Sequence, residues 1–185
     1  MEISLILKNK KYYQNRIRRI IPYLDLQGSS VLDLGCGQMV LYESMGPKLR
    51  EYLGMDNFPF SNKEYFILGD LKNSNLLPAK HFDFIFILGV IDHFIKDEKL
   101  NLVNLCKNKF QNSLIISQRN EHSLINKWLQ QNKCTIKIED SFENNKIEII
   151  YLLKLPLFAF VFDLTKLKSL RSILSTEFVY IISKG

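Results

Sequence analysis

Ser30-Val31-Leu32-Asp33-Leu34, followed at once by Gly35-Cys36-Gly37, is the stretch whose reading decides the fold. The first part is a short, mostly apolar run of the kind that forms a strand buried on both faces. The two glycines then allow a tight turn in which no Cβ obstructs a close-lying ligand. Upstream, Tyr13, Ile17, Ile20, Ile21 and Leu24 recur at helical spacing. Tyr12–Leu24 is therefore predicted as an amphipathic helix, stopped by Pro22 and the turn-like Asp25-Leu26-Gln27-Gly28. Downstream, Met39–Leu49 is predicted as a helix interrupted at Gly46-Pro47, and Tyr52–Asp56 as a second short strand that ends in an acid.

The same alternation runs on through the chain. Tyr65–Asp70 is predicted as another strand ending in an acid, and Phe82–Val90 as a strand covered on both faces. Lys96–Lys107 has helical period, Ser113–Ser117 reads as a strand, and Glu121–Gln131 as a helix carrying Trp128. Thr135–Ile138 and Glu177–Ser183 complete the predicted strands. Short apolar strands alternating with helices imply an α/β fold with a doubly wound, mostly parallel sheet. With no low-complexity linker, residues 1–185 read as one domain. Residues 1–28 form an N-terminal helical segment, and residues 143–175 a separate stretch before the last strand.

Composition narrows the class. At 46% hydrophobic and 24% charged residues, the 185-residue chain has the balance of a globular protein with a full core. The formal charge of +6 is concentrated at Lys8, Lys10, Lys11, Arg16, Arg18 and Arg19. Such a run suits phosphates or an anionic membrane surface, but a solvated helix face explains it with fewer assumptions. Cys36, Cys106 and Cys134 are odd in number and lack CxxC spacing, which argues against disulfides and structural zinc and for a reducing, cytoplasmic setting. No run reaches the roughly 20 apolar residues that cross a bilayer.

In doubly wound sheets, ligands bind outside the carboxyl ends of the strands. Four groups stand there: the turn Asp33-Leu34-Gly35-Cys36-Gly37, Asp56, Asp70, and Leu88-Gly89-Val90-Ile91-Asp92-His93. Asp56 lies about 20 residues past the glycine turn, where an acid can hold two ribose hydroxyls. Asp70 is placed to accept from an exocyclic amine.

From Val31 to Ser117 these groups together resemble the class I S-adenosylmethionine-dependent methyltransferases, in particular those acting on small molecules. The resemblance implies a Rossmann-like three-layer α/β/α sandwich with a seven-stranded sheet and an antiparallel last strand, for which Glu177–Ser183 stands. It implies S-adenosylmethionine as cofactor. Asp33, Gly35, Cys36 and Gly37 would surround the methionine moiety, Asp33 organising its amino group. Asp56 would hold the ribose, Asn57 and Phe58 would lie beside the adenine, and Asp70 and Leu71 would meet its edge. Leu88 and Gly89 would contact the ligand through their backbones. Where the family often carries a third glycine this chain has Met39, a residue that would crowd the amino-acid end. A dinucleotide is disfavoured by Val40, where a GxGxxG fingerprint needs glycine.

Methyl transfer from a sulfonium is an in-line displacement, so the protein's main work is alignment and exclusion of water. His93 is the candidate base, balanced against a packing role at the start of the next helix. Asp92 either orients His93 or caps that helix. His81 and His122 read as structural and surface residues, and the scattered histidines give no metal site. Residues 143–175 stand where the family often carries an acceptor lid. Their apolar run, Ile147–Phe162, suits an apolar acceptor, peripheral membrane contact, or a strand and helix buried against the sheet. The expected partner is a small-molecule methyl acceptor. Nucleic acid is disfavoured because Gly89-Val90-Ile91-Asp92 replaces the Asn-Pro-Pro-aromatic motif of amino-methylating enzymes. A catalytically degenerate binding module with Met39 in its pocket is the alternative.

Overall fold

A computed structural model describes residues 3–59, 63–73, 76–120, 137–142, 144–152 and 177–184. The elements are α1 (Ile3–Ile20), β1 (Ser30–Leu34), α2 (Val40–Met45), β2 (Glu51–Asp56), β3 (Phe66–Leu68), β4 (Phe82–Ile87), α3 (Lys96–Lys107), β5 (Phe110–Arg119), β6 (Lys146–Leu152) and β7 (Glu177–Ser183).

The seven strands form one sheet in the order β3-β2-β1-β4-β5-β7-β6. β7 is antiparallel to both its neighbours, and the pairings from β3 through β5 are all parallel. Central strand β1 is buried at every position, as a strand covered on both faces must be. Two apolar layers flank the sheet. Ile17, Ile20, Val40 and Leu41 of α1 and α2 pack with Val31, Phe84 and Phe86 on one face. Leu102, Val103 and Cys106 of α3 pack with Leu32, Ile85 and Leu114 on the other. The result is the three-layer sandwich that the sequence implies.

Local chemistry sets the element ends. α1 continues to Ile20 and passes into a 3-10 turn over Ile21–Tyr23, where Pro22 cannot donate to a continuing helix. Arg18 and Arg19 occupy its last turn, where cations oppose the exposed carbonyls. At the start of α3, the Ile95 N–H donates to Glu98 Oε2 at 3.0 Å, half of a capping box.

Several boundaries differ from expectation. α1 begins at Ile3 rather than Tyr12, and β5 runs from Phe110 to Arg119, longer than Ser113–Ser117. β4 stops at Ile87, so Leu88, Gly89 and Val90 belong to the turn beyond it. The sixth strand of the sheet is Lys146–Leu152; of the predicted strand Thr135–Ile138, residues 135 and 136 lie outside the described residues. Ile138 is fully buried ahead of a 3-10 turn over Glu139–Ser141. Of the 143–175 segment, residues 146–152 are thus part of the sheet. The predicted helix Glu121–Gln131 and the stretch after Leu152 up to residue 176 lie outside the described residues.

Candidate functional site

The order β3-β2-β1-β4 reverses the chain's direction of travel at β1, and a cleft of about 470 Å³ opens beyond the carboxyl ends of these strands. The turn after β1 is pinned to β2: Gly35 N–H and Cys36 N–H both donate to the Met55 carbonyl, at 2.7 and 3.2 Å. Gly35 has φ +74, and a Cβ there would stand 1.8 Å from Val90 Cγ2, so backbone and packing both demand glycine. Gly37 has φ +50, and a Cβ on it would enter open space. Met39 takes the left-handed conformation itself, at φ 57 and ψ 37. It does not line the cleft: its side chain is buried with Ile17, Val40 and Leu41 in the core under α1 and α2.

Eleven of the residues singled out from the sequence (Asp33, Gly35, Cys36, Gly37, Asp56, Asn57, Asp70, Leu71, Leu88, Gly89 and His93) line this one cleft. The acids differ in how they are held. Asp56 Oδ2 accepts from Gly37 N–H at 2.9 Å, and Oδ1 accepts from Phe58 N–H at 3.0 Å. The carboxylate thereby splints the glycine turn to the end of β2. Each oxygen still has a lone pair for a ligand hydroxyl. Asp70, exposed, accepts from Lys72 N–H at 3.0 Å in a local turn. Asp33 is buried and accepts from the Tyr52 hydroxyl at 2.8 Å. Burial pushes its carboxyl up to about 7 against the pull of that hydrogen bond, and the nearby Asp56 charge adds to the rise.

At the other end, Gly89 has φ +77 and donates its N–H to Ser117 Oγ at 2.8 Å. His93 sits at the exposed rim, in a 3-10 turn over Ile91–His93. Asp92 accepts from Arg119 N–H at 3.2 Å and so ties this turn to β5. The position that caps α3 is Ile95. Phe58 is 51% exposed and lies outside the cleft, as does His81, while His122 falls outside the described residues. Cys36 is buried against Gly54, and burial pushes its thiol far above the ordinary range, which fits packing rather than nucleophilic chemistry. Among the described residues, no group of His, Cys, Asp and Glu could hold a metal ion.

α1 contributes lining that sequence reasoning missed: Tyr13, Arg16 and Ile17. Arg16 was expected on a solvated basic face, yet it is 4% exposed. Its Nη2 contacts Glu177 Oε1 at 2.9 Å and Oε2 at 3.0 Å, and donates to the Tyr12 hydroxyl at 2.8 Å. The Tyr12 hydroxyl in turn donates to Glu177 Oε2 at 2.7 Å. The available signal was position. Arg16 falls on the apolar stripe between Tyr13 and Ile20, where a cation is out of place unless it has a partner.

The sequence matches no protein-family model and no curated protein. Solved structures share the architecture. A SAM-dependent methyltransferase from Archaeoglobus fulgidus is 18% identical with a TM-score of 0.70, over 99% of this chain and 100% of that one. The magnesium protoporphyrin IX methyltransferase of Synechocystis PCC 6803, solved with bound SAM, is 14% identical with a TM-score of 0.61, over 94% and 80%. The N-methyltransferase NodS of Bradyrhizobium japonicum WM9, in complex with S-adenosylhomocysteine, is 10% identical with a TM-score of 0.65, over 94% and 86%. Strand order, the antiparallel β7 and these likenesses agree: the chain has the class I SAM-dependent methyltransferase fold.

Proposed function

We propose that this chain is an S-adenosylmethionine-dependent methyltransferase that acts on a small-molecule acceptor. The observation that carries the reading is Asp56. Its carboxylate closes the glycine turn from the end of β2, in a cleft that also gathers Asp33, Asp70 and Gly89. The cleft volume suits a ligand of this size, and the open space over Gly37 is room that any side chain there would take.

In this reading the cofactor, when bound, supplies the electrophilic methyl group. Asp56 holds the ribose hydroxyls through its remaining lone pairs, with Asn57 beside it. Asp70 and Leu71 receive the adenine, Gly35 and Gly37 permit close approach of the backbone, and Asp33 faces the amino group. Leu88 and Gly89 line the path towards the acceptor. His93, at the rim, is the residue placed to take a proton from an acceptor hydroxyl or amine as it is methylated. Burial of Met39 in the core leaves the amino-acid end clear, which favours this reading over a degenerate binding module.

Calorimetric titration with S-adenosylmethionine and S-adenosylhomocysteine tests it, with NAD as the control. Micromolar binding of both, weakened at least tenfold in Asp56→Ala and absent for NAD, is the expected result. The absence of heat and of any thermal shift at millimolar ligand would overturn it.

A further inference from the structure

Two separate pieces of chain wall the cleft on the side away from α1. Asp70 and Leu71 line it from the turn after β3, and His93 and Phe94 line it from the segment that leads into α3. Lys72 joins these pieces. Its Nζ lies 3.0 Å from Glu98 Oε1 and 5.8 Å from the centroid of the Phe94 ring. The other oxygen of Glu98 accepts from Ile95 N–H at 3.0 Å. One carboxylate therefore holds both the Lys72 ammonium and the backbone that follows His93 and Phe94. These contacts, the Ile95 N–H foremost, keep the Glu98 carboxyl below its usual range and so charged at neutral pH. On the opposite side, Lys72 N–H donates to Asp70 at 3.0 Å, which fixes the stem of the cation to the other wall.

Neither Lys72 nor Glu98 lines the cleft itself. Both border a second hollow, of about 670 Å³, behind it. Leu71 borders the two spaces alike, so the wall there is thin and gains from a tie on its outer side. We propose that Lys72 and Glu98 are positioning residues that clasp the two pieces of wall together and slow the departure of ligand. The inference rests on the cleft being the cofactor site described above. The clasp acts through Phe94, whose ring faces the cleft and carries the ammonium over it. It acts also through Glu98, which fixes the start of α3 behind the His93 turn. The pair is partly exposed, so its strength is modest and a ligand can open it.

The test compares association and dissociation rates of S-adenosylhomocysteine in wild type, Lys72→Met, Glu98→Gln and the double variant. Dissociation at least twofold faster in Lys72→Met, with association changed less, is the expected result. Lys72→Arg keeps the cation and can lie over Phe94, and it is expected to retain the wild-type rate. Lys80→Met removes another exposed lysine, paired with Glu51, and controls for net charge. The double variant is expected to show less than the product of the two single effects, as for groups that act through one contact. A change below twofold in Lys72→Met overturns the proposal. So does one equalled in Lys80→Met or persisting in Lys72→Arg, and so do single effects that multiply in the double variant. Should S-adenosylhomocysteine not bind the wild type, the methyltransferase reading fails by itself. The proposal is then read from hydrogen exchange of the His93, Phe94 and Ile95 amides in the protein alone. Exchange at least twofold faster in Lys72→Met supports it, and a smaller change overturns it.

Discussion

The two ends of the cleft are built by different means. At the Asp56 end, the acids lean on backbone N–H groups: Asp56 on Gly37 and Phe58, Asp70 on Lys72. These groups are half-buried or exposed. Asp33, 6% exposed and held by Tyr52 of β2, stands between the two ends. At the Gly89 end, Arg16 and Glu177 are 4% and 2% exposed and come from distant parts of the chain. Arg16 and Glu177 are 161 residues apart. The open end can be altered with modest effect on the fold. The buried end couples recognition to stability, because charges there are tolerated only while paired.

Breaking the buried pair gives the largest expected effect. Arg16→Met strands the Glu177 carboxylate and is expected to lose about 3–5 kcal/mol in urea unfolding, most of it regained in Arg16→Met/Glu177→Gln. A single variant within about 0.5 kcal/mol of wild type would show that the two ends are not so different.

Asp33 comes next. Its carboxyl rises to about 7 in the fold from 3.8, so the folded protein binds more protons than the unfolded chain between those values. Its favourable contribution is therefore present below the unfolded value and lost as pH rises through about 7. Unfolding free energy is expected to fall by about 2–4 kcal/mol from pH 4 to pH 8 relative to Asp33→Asn. Parallel pH profiles for the two proteins would remove Asp33 from the account.

At the open end, Asp56→Ala is expected to weaken S-adenosylhomocysteine by about 1.5–3 kcal/mol, roughly ten- to hundredfold, with a smaller change in stability. Equal affinities would break the assignment. Gly35→Ala sits where the two ends meet. Its Cβ would collide with Val90 at a φ that disfavours side chains, and about 1–3 kcal/mol of stability is expected to go with it. An unchanged unfolding midpoint would show that the turn has room to shift.

The same contrast explains what could be read from the sequence. Asp56, Asp70 and the Gly35–Gly37 turn follow short strands at fixed spacing, so local pattern finds them, and the mostly parallel sheet follows from the alternation that carries them. Arg16 was placed with the surface charges because its partner, Glu177, is joined to it only by folding. The bounds of the sixth strand are hidden from local pattern for a related reason. Lys146–Leu152 mixes Lys146 and Glu148 with apolar residues along a sheet edge, and its pairing with β7 is long-range information. Met39 was expected to crowd the ligand because the direction of its side chain depends on a left-handed backbone that residue type does not announce.

The most direct test of the central claim, one cleft with an open nucleoside end and a buried amino-acid end, is a paired calorimetric titration. S-adenosylhomocysteine and 5′-methylthioadenosine, which lacks the amino-acid tail, are titrated into wild type and Asp56→Ala. Both ligands are expected to bind the wild type, S-adenosylhomocysteine the tighter by at least tenfold, and both to weaken in Asp56→Ala. Binding of neither ligand to the wild type, or equal binding of both in the two proteins, would contradict it.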